Sequence, residues 1–257
     1  MIFAIHGRNI FGLHLGLAVK QSGHKVVTGM DATVPCDIAL LGSIREPELI
    51  EAYKAAGVPV FIYEQGYVKR TNGPSEHQIG HWQLSKDWLN GLPDFECKAD
   101  RFDSLDTPIV QKGGDAKGYV LVLGQKPGDS ALNGTDHVQW LRDRFDEYDN
   151  VVYRPHPKRG YEFDASEVTQ QEGTLQEAFA GAKLVVCYNS TAGFAALLAG
   201  VPVVCDPCAP YAELSGTRLP AMKKRRAFFN RVAYGQWRVD QTKAAVEFLT
   251  KEWLPRC

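Results

Sequence analysis

Residues 184–206 read LVVCYNSTAGFAALLAGVPVVCD, and this stretch decides the fold class. Leu184, Val185, Val186, Cys187 and Tyr188 form a short apolar run bounded by turn residues. Strands covered on both faces look like this. Asn189, Ser190 and Thr191 turn the chain and supply capping side chains. Gly193 and a row of small apolar residues then read as a helix, which Gly200 closes. Residues 201–205 return to strand. Strand, turn, helix and strand within so short a span predict a βαβ unit, and so an α/β protein with parallel strands.

The same rhythm extends outward. Residues 119–123 read as a strand, 136–145 as a helix and 151–154 as a strand ended by Pro155 and Pro157. Residues 174–180 read as a helix with Thr174 as N-cap. On the amino-terminal side, strands are expected at residues 2–6, 25–28, 38–41 and 58–63. Helices are expected at 13–22, closed by Gly23, and at 47–56, stopped by Gly57. Residues 66–115 are broken by Gly, Pro and Asn and punctuated by Trp82 and Trp88, which predicts loops and short helices. Lys112-Gly113-Gly114-Asp115 reads as a linker. The rhythm therefore occurs twice, and the expectation is two Rossmann-like α/β lobes with a cleft between them. Their expected spans are residues 1–114 and 115–222, followed by a helical segment, 223–257.

Composition narrows the function. The chain has 257 residues, 44% apolar and 23% charged, with a net charge of −1. Those values fit a globular protein and exclude a polyanionic tail or a strongly basic nucleic-acid coat, although a local basic patch remains open. No apolar run reaches the ~18 residues of a membrane span. The amino terminus lacks the basic start of a signal peptide, so a cytoplasmic location, no membrane partner and reduced cysteines are expected.

Three segments can carry chemistry. The turn Asn189-Ser190-Thr191, with Gly193 opening the next helix, lets a phosphate approach backbone N–H groups. Residues 151–158, VVYRPHPK, place Arg154, His156 and Lys158 at alternate positions of an extended segment, so all three point one way as an anion clamp. Residues 119–130, YVLVLGQKPGDS, run a strand into a loop bearing Gln125 and Asp129. Metal signals are thin. There is no Asp-x-Asp pair, and Glu162-Phe163-Asp164 is isolated. His77 and His81 suit zinc only if helical, and Cys205-Asp206-Pro207-Cys208 is a lone C-x-x-C.

In order and spacing, GQKPGDS, YRPHPK and NSTAGFAALLAGVPVV resemble the donor lobe of GT-B glycosyltransferases. They are similar to the capsule polysaccharide and Kdo-transferase type, and to small phage-encoded enzymes that glycosylate hydroxymethylated DNA bases. The resemblance is best over residues 119–206. It reaches more loosely to FIYEQGY (61–67) and NRVAYGQW (230–237). It implies a GT-B-like fold in which the last helices cross back over the first lobe.

It also implies site roles. Arg154, His156, Lys158, Asn189, Ser190, Thr191 and Gly193 would hold the diphosphate of a nucleotide-sugar, expected to be UDP-linked, with Gln125 and Asp129 bordering the pocket. No cofactor or metal is required. An inverting transfer needs a base. Glu64, before a Gly-Tyr pair, is the first candidate, and His6 at the end of a strand is the second. By their charge, Arg8, Lys69, Arg70 and the run Lys223, Lys224, Arg225 and Arg226 would meet the acceptor; the alternative for the run is a solvated helix face with Phe228 and Phe229 in the core. The expected reaction is sugar transfer to a hydroxyl, with a 5-hydroxymethylpyrimidine of phage DNA as the acceptor. A saccharide acceptor, a sugar-nucleotide epimerase and a non-catalytic nucleotide- or DNA-binding module are the alternatives.

Overall fold

In a computed structural model of the chain, all residues are described except 8, 30, 31, 71–73, 127, 158–164 and 257; for Pro74 only the backbone is described. The chain divides into two compact units. Unit 1 combines Met1–Leu105 with Phe229–Cys257, and unit 2 is Asp106–Phe228. Among the described residues, no helix is long and apolar enough to cross a membrane.

Unit 1 begins with strand β1 (Ile2–His6), helix α1 (Ile10–Gln21), β2 (Lys25–Thr28), β3 (Ile38–Leu41), α2 (Pro47–Ala55) and β4 (Val60–Gln65). These four strands are parallel, in the order β2-β1-β3-β4. Their apolar runs exist because both faces are covered. Phe3, Ile5, Phe61 and Tyr63 point to one core, together with Phe11 and Leu15 of α1. Ala4, Val60 and Ile62 point to the other, with Leu49, Ile50 and Tyr53 of α2. Helix α1 starts earlier than residue 13 because Asn9 caps it, its Oδ1 accepting from the Gly12 N–H at 2.9 Å.

The stretch expected to be irregular holds a strand, β5 (Trp82–Lys86), antiparallel to β4, and a short helix, α3 (Asp100–Ser104).

Unit 2 runs β6 (Tyr119–Leu123), α4 (His137–Glu147), β7 (Val151–Arg154), β8 (Thr169–Gln170), α5 (Leu175–Ala180), β9 (Ala182–Cys187), α6 (Ala192–Leu198) and β10 (Val203–Cys205). All five strands are parallel, in the order β10-β9-β6-β7-β8. Thr174 and Glu177 form a reciprocal capping box at the start of α5. The expected linker is a correction. Gly113 donates its N–H to the Gly200 carbonyl at 3.0 Å, and Asp115 donates to Ala182 at 3.1 Å. A Cβ on Gly113 would lie 2.0 Å from the Ala199 oxygen. These glycines let two backbones touch within unit 2; they do not form a free hinge.

Helix α7 (Met222–Tyr234) follows, then β11 (Gln236–Trp237), which pairs antiparallel with β5, and α8 (Thr242–Phe248). Trp237, Val246, Leu249 and Trp253 join the same unit 1 core as α1.

Candidate functional site

Parallel α/β sheets bind ligands at the carboxyl ends of their strands. In unit 2 that edge carries Gly124 and Gln125 after β6, Pro155 and His156 after β7, the turn 188–191 after β9 and Asp206 after β10. Gln125 is 6% exposed. Its Nε2 donates to Asn189 Oδ1 at 2.7 Å, and Asn189 Nδ2 donates to the Ala131 carbonyl at 2.7 Å. The Gln125 N–H donates to His137 Nε2 at 3.0 Å. His137 stacks on Trp140 with ring centroids 5.3 Å apart, and burial pushes its pKa down to about 4. It is therefore neutral at physiological pH, with Nε2 as acceptor and the proton on Nδ1. One polar network thus ties the β6–α4 loop to the turn after β9.

Beside His137 lies a pocket of about 460 Å³ lined by residues 128–130 and 132–138, including Asp129 and Thr135. Asp129 caps the short turn there, its Oδ1 accepting from Ala131 N–H at 3.1 Å. The Ser190 carbonyl accepts from Tyr211 Oη at 2.6 Å. Gly193 is required beside it, because a Cβ there would lie 2.1 Å from Tyr211 Cζ. Arg154 is half-buried and donates from Nη2 to the Gly173 carbonyl at 2.7 Å. His156 is half-buried on the same strand end, and Thr191 is half-buried at the start of α6.

In unit 1, β1, β3 and β4 likewise end on one edge. His6 ends β1 but is 3% exposed, with Nε2 2.8 Å from Tyr53 Oη. A Cβ on Gly29 would lie 1.9 Å from its Cε1, so the imidazole is enclosed. Glu64 lies inside β4 rather than after it, half-buried, with Oε1 accepting from Gln65 N–H at 3.1 Å. Lys69 is exposed, and Arg70 donates to Gln65 Oε1 at 2.5 Å.

No protein-family model matches the chain, and no curated protein matches its sequence. Two solved structures from Thermosulfurimonas dismutans KpsC do match in three dimensions. The beta Kdo 2,4 transferase is 14% identical over 92% of this chain and 91% of its own, with a TM-score of 0.57. The beta Kdo 2,7 transferase is 14% identical over 97% and 99%, with a TM-score of 0.54. The chain has the GT-B fold.

Several expected GT-B site residues need revision. Arg225 is 1% exposed and donates to the carbonyls of Pro220, Val110, Leu197 and Gln111. It cannot reach an acceptor. Lys223 and Lys224 are exposed on α7, Lys224 donating to the Glu213 carbonyl at 2.7 Å, and Arg226 is half-buried. Arg8, Lys158, Glu162 and Asp164 lie outside the described residues. Trp82 is a core residue stacked on Phe11, and half-buried Trp88 packs against the α2 core.

His77 and His81 are not on a helix, and His81 is buried with Nδ1 3.3 Å from the Lys69 carbonyl. Among the described residues, no three His, Cys, Asp or Glu side chains are grouped to hold a metal. Burial raises both the Cys205 and Cys208 thiols, Cys205 to about 11, so the C-x-x-C thiols stay protonated. Sequence reasoning missed His137, which it read only as a helix residue. The contact that makes it part of the site spans twelve positions, and no local pattern announces that contact.

Proposed function

We propose that this chain is a nucleotide-sugar-dependent glycosyltransferase with a saccharide acceptor. The observation that carries the reading is the built carboxyl edge of unit 2, where the Gln125–Asn189–His137 network stands beside Arg154 and His156. The GT-B likeness to two Kdo transferases supports it. Arg154 and His156, with Lys158, would neutralise the departing phosphate, and the backbone of the Asn189–Thr191 turn would add N–H donors. Gln125 and Asp129 would border the donor. The nucleotide-sugar, expected to be UDP-linked, is a co-substrate, and the reading calls for no cofactor.

In unit 1, we assign the general base to Glu64 and not to the enclosed His6. Its carboxylate would take the acceptor hydroxyl proton as the new C–O bond forms and the sugar–phosphate bond breaks, the electron pair leaving with the nucleotide. Lys69 and Arg70 would meet the acceptor. A hydroxymethylated DNA base is the second reading, favoured by exposed Lys223 and Lys224 and weakened by the inward turn of Arg225.

The test is a transfer assay with UDP-, GDP- and CMP-sugars, read by mass spectrometry. Its acceptors are a Kdo-ended oligosaccharide, hydroxymethylated DNA and unmodified DNA. A sugar-sized mass gain on the oligosaccharide is expected, with little change between 50 and 200 mM salt. Transfer to DNA that weakens by about 10³ or more over that salt range would favour the second reading. Glu64→Gln should lower kcat by about 10²- to 10⁴-fold with donor binding intact. Donor binding without transfer or hydrolysis across the panel would point to a binding module instead.

A further inference from the structure

Gln236 is fully buried on β11, a strand of two residues. It is held from behind. Arg101 Nη2 donates to its carbonyl at 2.9 Å and Arg101 Nε to the Ala233 carbonyl at 3.0 Å, while the guanidinium lies 3.5 Å over the Trp237 ring. Its side-chain amide leaves the strand. Oε1 accepts from the N–H groups of both Tyr67 and Val68 at 2.9 Å, and Nε2 donates to the Val68 carbonyl at 2.9 Å. One side chain thus satisfies three buried backbone groups of a segment that lies outside both helix and strand.

That segment follows β4 directly. The Gly66 N–H donates to the His81 carbonyl at 2.8 Å, and a Cβ on Gly66 would lie 2.6 Å from that oxygen. Tyr67 Oη donates to Gln83 Oε1 at 2.9 Å. Lys69, at φ +50°, and Arg70 come next. Glu64 lies two residues before Gly66. The segment between the proposed base and the two proposed acceptor-binding cations is therefore fixed from a strand near the carboxyl terminus.

We propose that Gln236 is a positioning residue that holds residues 66–70, and through them Lys69 and Arg70, in place for the acceptor. This rests on the reading of Glu64, Lys69 and Arg70 given above. A neutral amide offers two accepting directions and a donor in this arrangement; an ionised carboxylate lacks the donor and a leucine lacks both. Leaving three buried backbone groups unpaired loosens the segment without emptying the core around it.

The test uses Gln236→Leu and Gln236→Glu, with Thr242→Val as a control. The control removes a buried hydroxyl bonded to the Val239 carbonyl and leaves the clamp alone. In Gln236→Leu, the Tyr67 and Val68 amides should exchange at least about tenfold faster than in wild type, and in Thr242→Val they should not. With the Kdo-ended oligosaccharide as acceptor probe, acceptor KM should rise about tenfold while donor KM and donor hydrolysis stay at wild-type values.

Gln236→Glu should add a pH dependence of acceptor KM to that of wild type, which carries His81 against the Lys69 carbonyl. Burial raises a carboxyl pKa, and the protonated acid can again donate to Val68, so acceptor KM should recover as pH falls. That variant carries the test where Gln236→Leu does not fold. Unchanged exchange at Tyr67 and Val68 would overturn the proposal, and so would donor and acceptor KM rising together. Wild-type activity in Glu64→Gln would instead remove the base assignment, while the exchange result stands on its own.

Discussion

His137 accepts the Gln125 N–H only while it is neutral, and burial keeps it so, with a pKa of about 4. Burial holds His81 at about 4 as well. In the unfolded chain both titrate near 6.5 (about that value for a free histidine). Their folded pKa values lie below the unfolded ones, so as pH falls the unfolded chain binds protons first. The stability they contribute is complete above about pH 6.5, drains away between 6.5 and 4, and changes no further below that. The urea midpoint should fall across that window, and His137→Gln should flatten part of the fall; an unchanged pH profile in the variant would refute the assignment. Gln125 and Asn189 were readable as strand-end residues because each follows an apolar strand. Their mutual bond was not readable because it joins the ends of β6 and β9, and the bond to His137 was not because it spans twelve positions to the start of α4. Glu64 was placed one step too late, since the sequence reading ended β4 at Tyr63 and two half-buried polar residues extend it.

Helix α7 shows how an element redistributes a charge run. Lys223, Lys224, Arg225 and Arg226 look like one basic patch when read along the chain. Wound at 3.6 residues per turn, Arg225 falls on the same stripe as Phe228, Phe229 and Val232, which are all buried. That periodicity stood in the sequence and offered Phe228 and Phe229 as core residues, but it did not single out Arg225 as the cation that turns inward. Arg225→Ala should cost about 3 kcal/mol by leaving several carbonyls unpaired, whereas Lys223→Ala should cost less than about 0.5 kcal/mol; paired urea titrations would check both. Strand β5 was overlooked for a related reason. Trp82 and Leu84 alternate with Gln83 and Ser85 as a strand requires, but Gln83 and Ser85 are buried too, in the hydrogen-bonded group around Tyr67. Polar residues that face a core read as solvent-facing until their partners are known.

For the whole molecule, the doubled βαβ rhythm was legible because buried parallel strands leave continuous apolar runs between helix stops. The family resemblance implied that the last helices cross back over the first lobe, and unit 1 is assembled from both ends of the chain, with β11 and α8 completing a sheet and core begun by β1; the local sequence pattern alone did not show that pairing. That discontinuity sets an order of events on the ribosome. Met1–Leu105 emerges before unit 2, and the segment carrying Trp237 and Trp253 emerges after it. At roughly 5–20 residues per second, the first half waits on the order of ten seconds with one apolar face uncovered and β5 as an open edge. Unit 2 needs nothing made later than Phe228 and can close during that wait. Nascent chains stalled before Phe229 leaves the exit tunnel should be cut by protease within Met1–Leu105 and resist within Asp106–Phe228; equal resistance in both would show that the early half folds without its late partner. During synthesis, then, the early half is the part of this protein with most need of a chaperone.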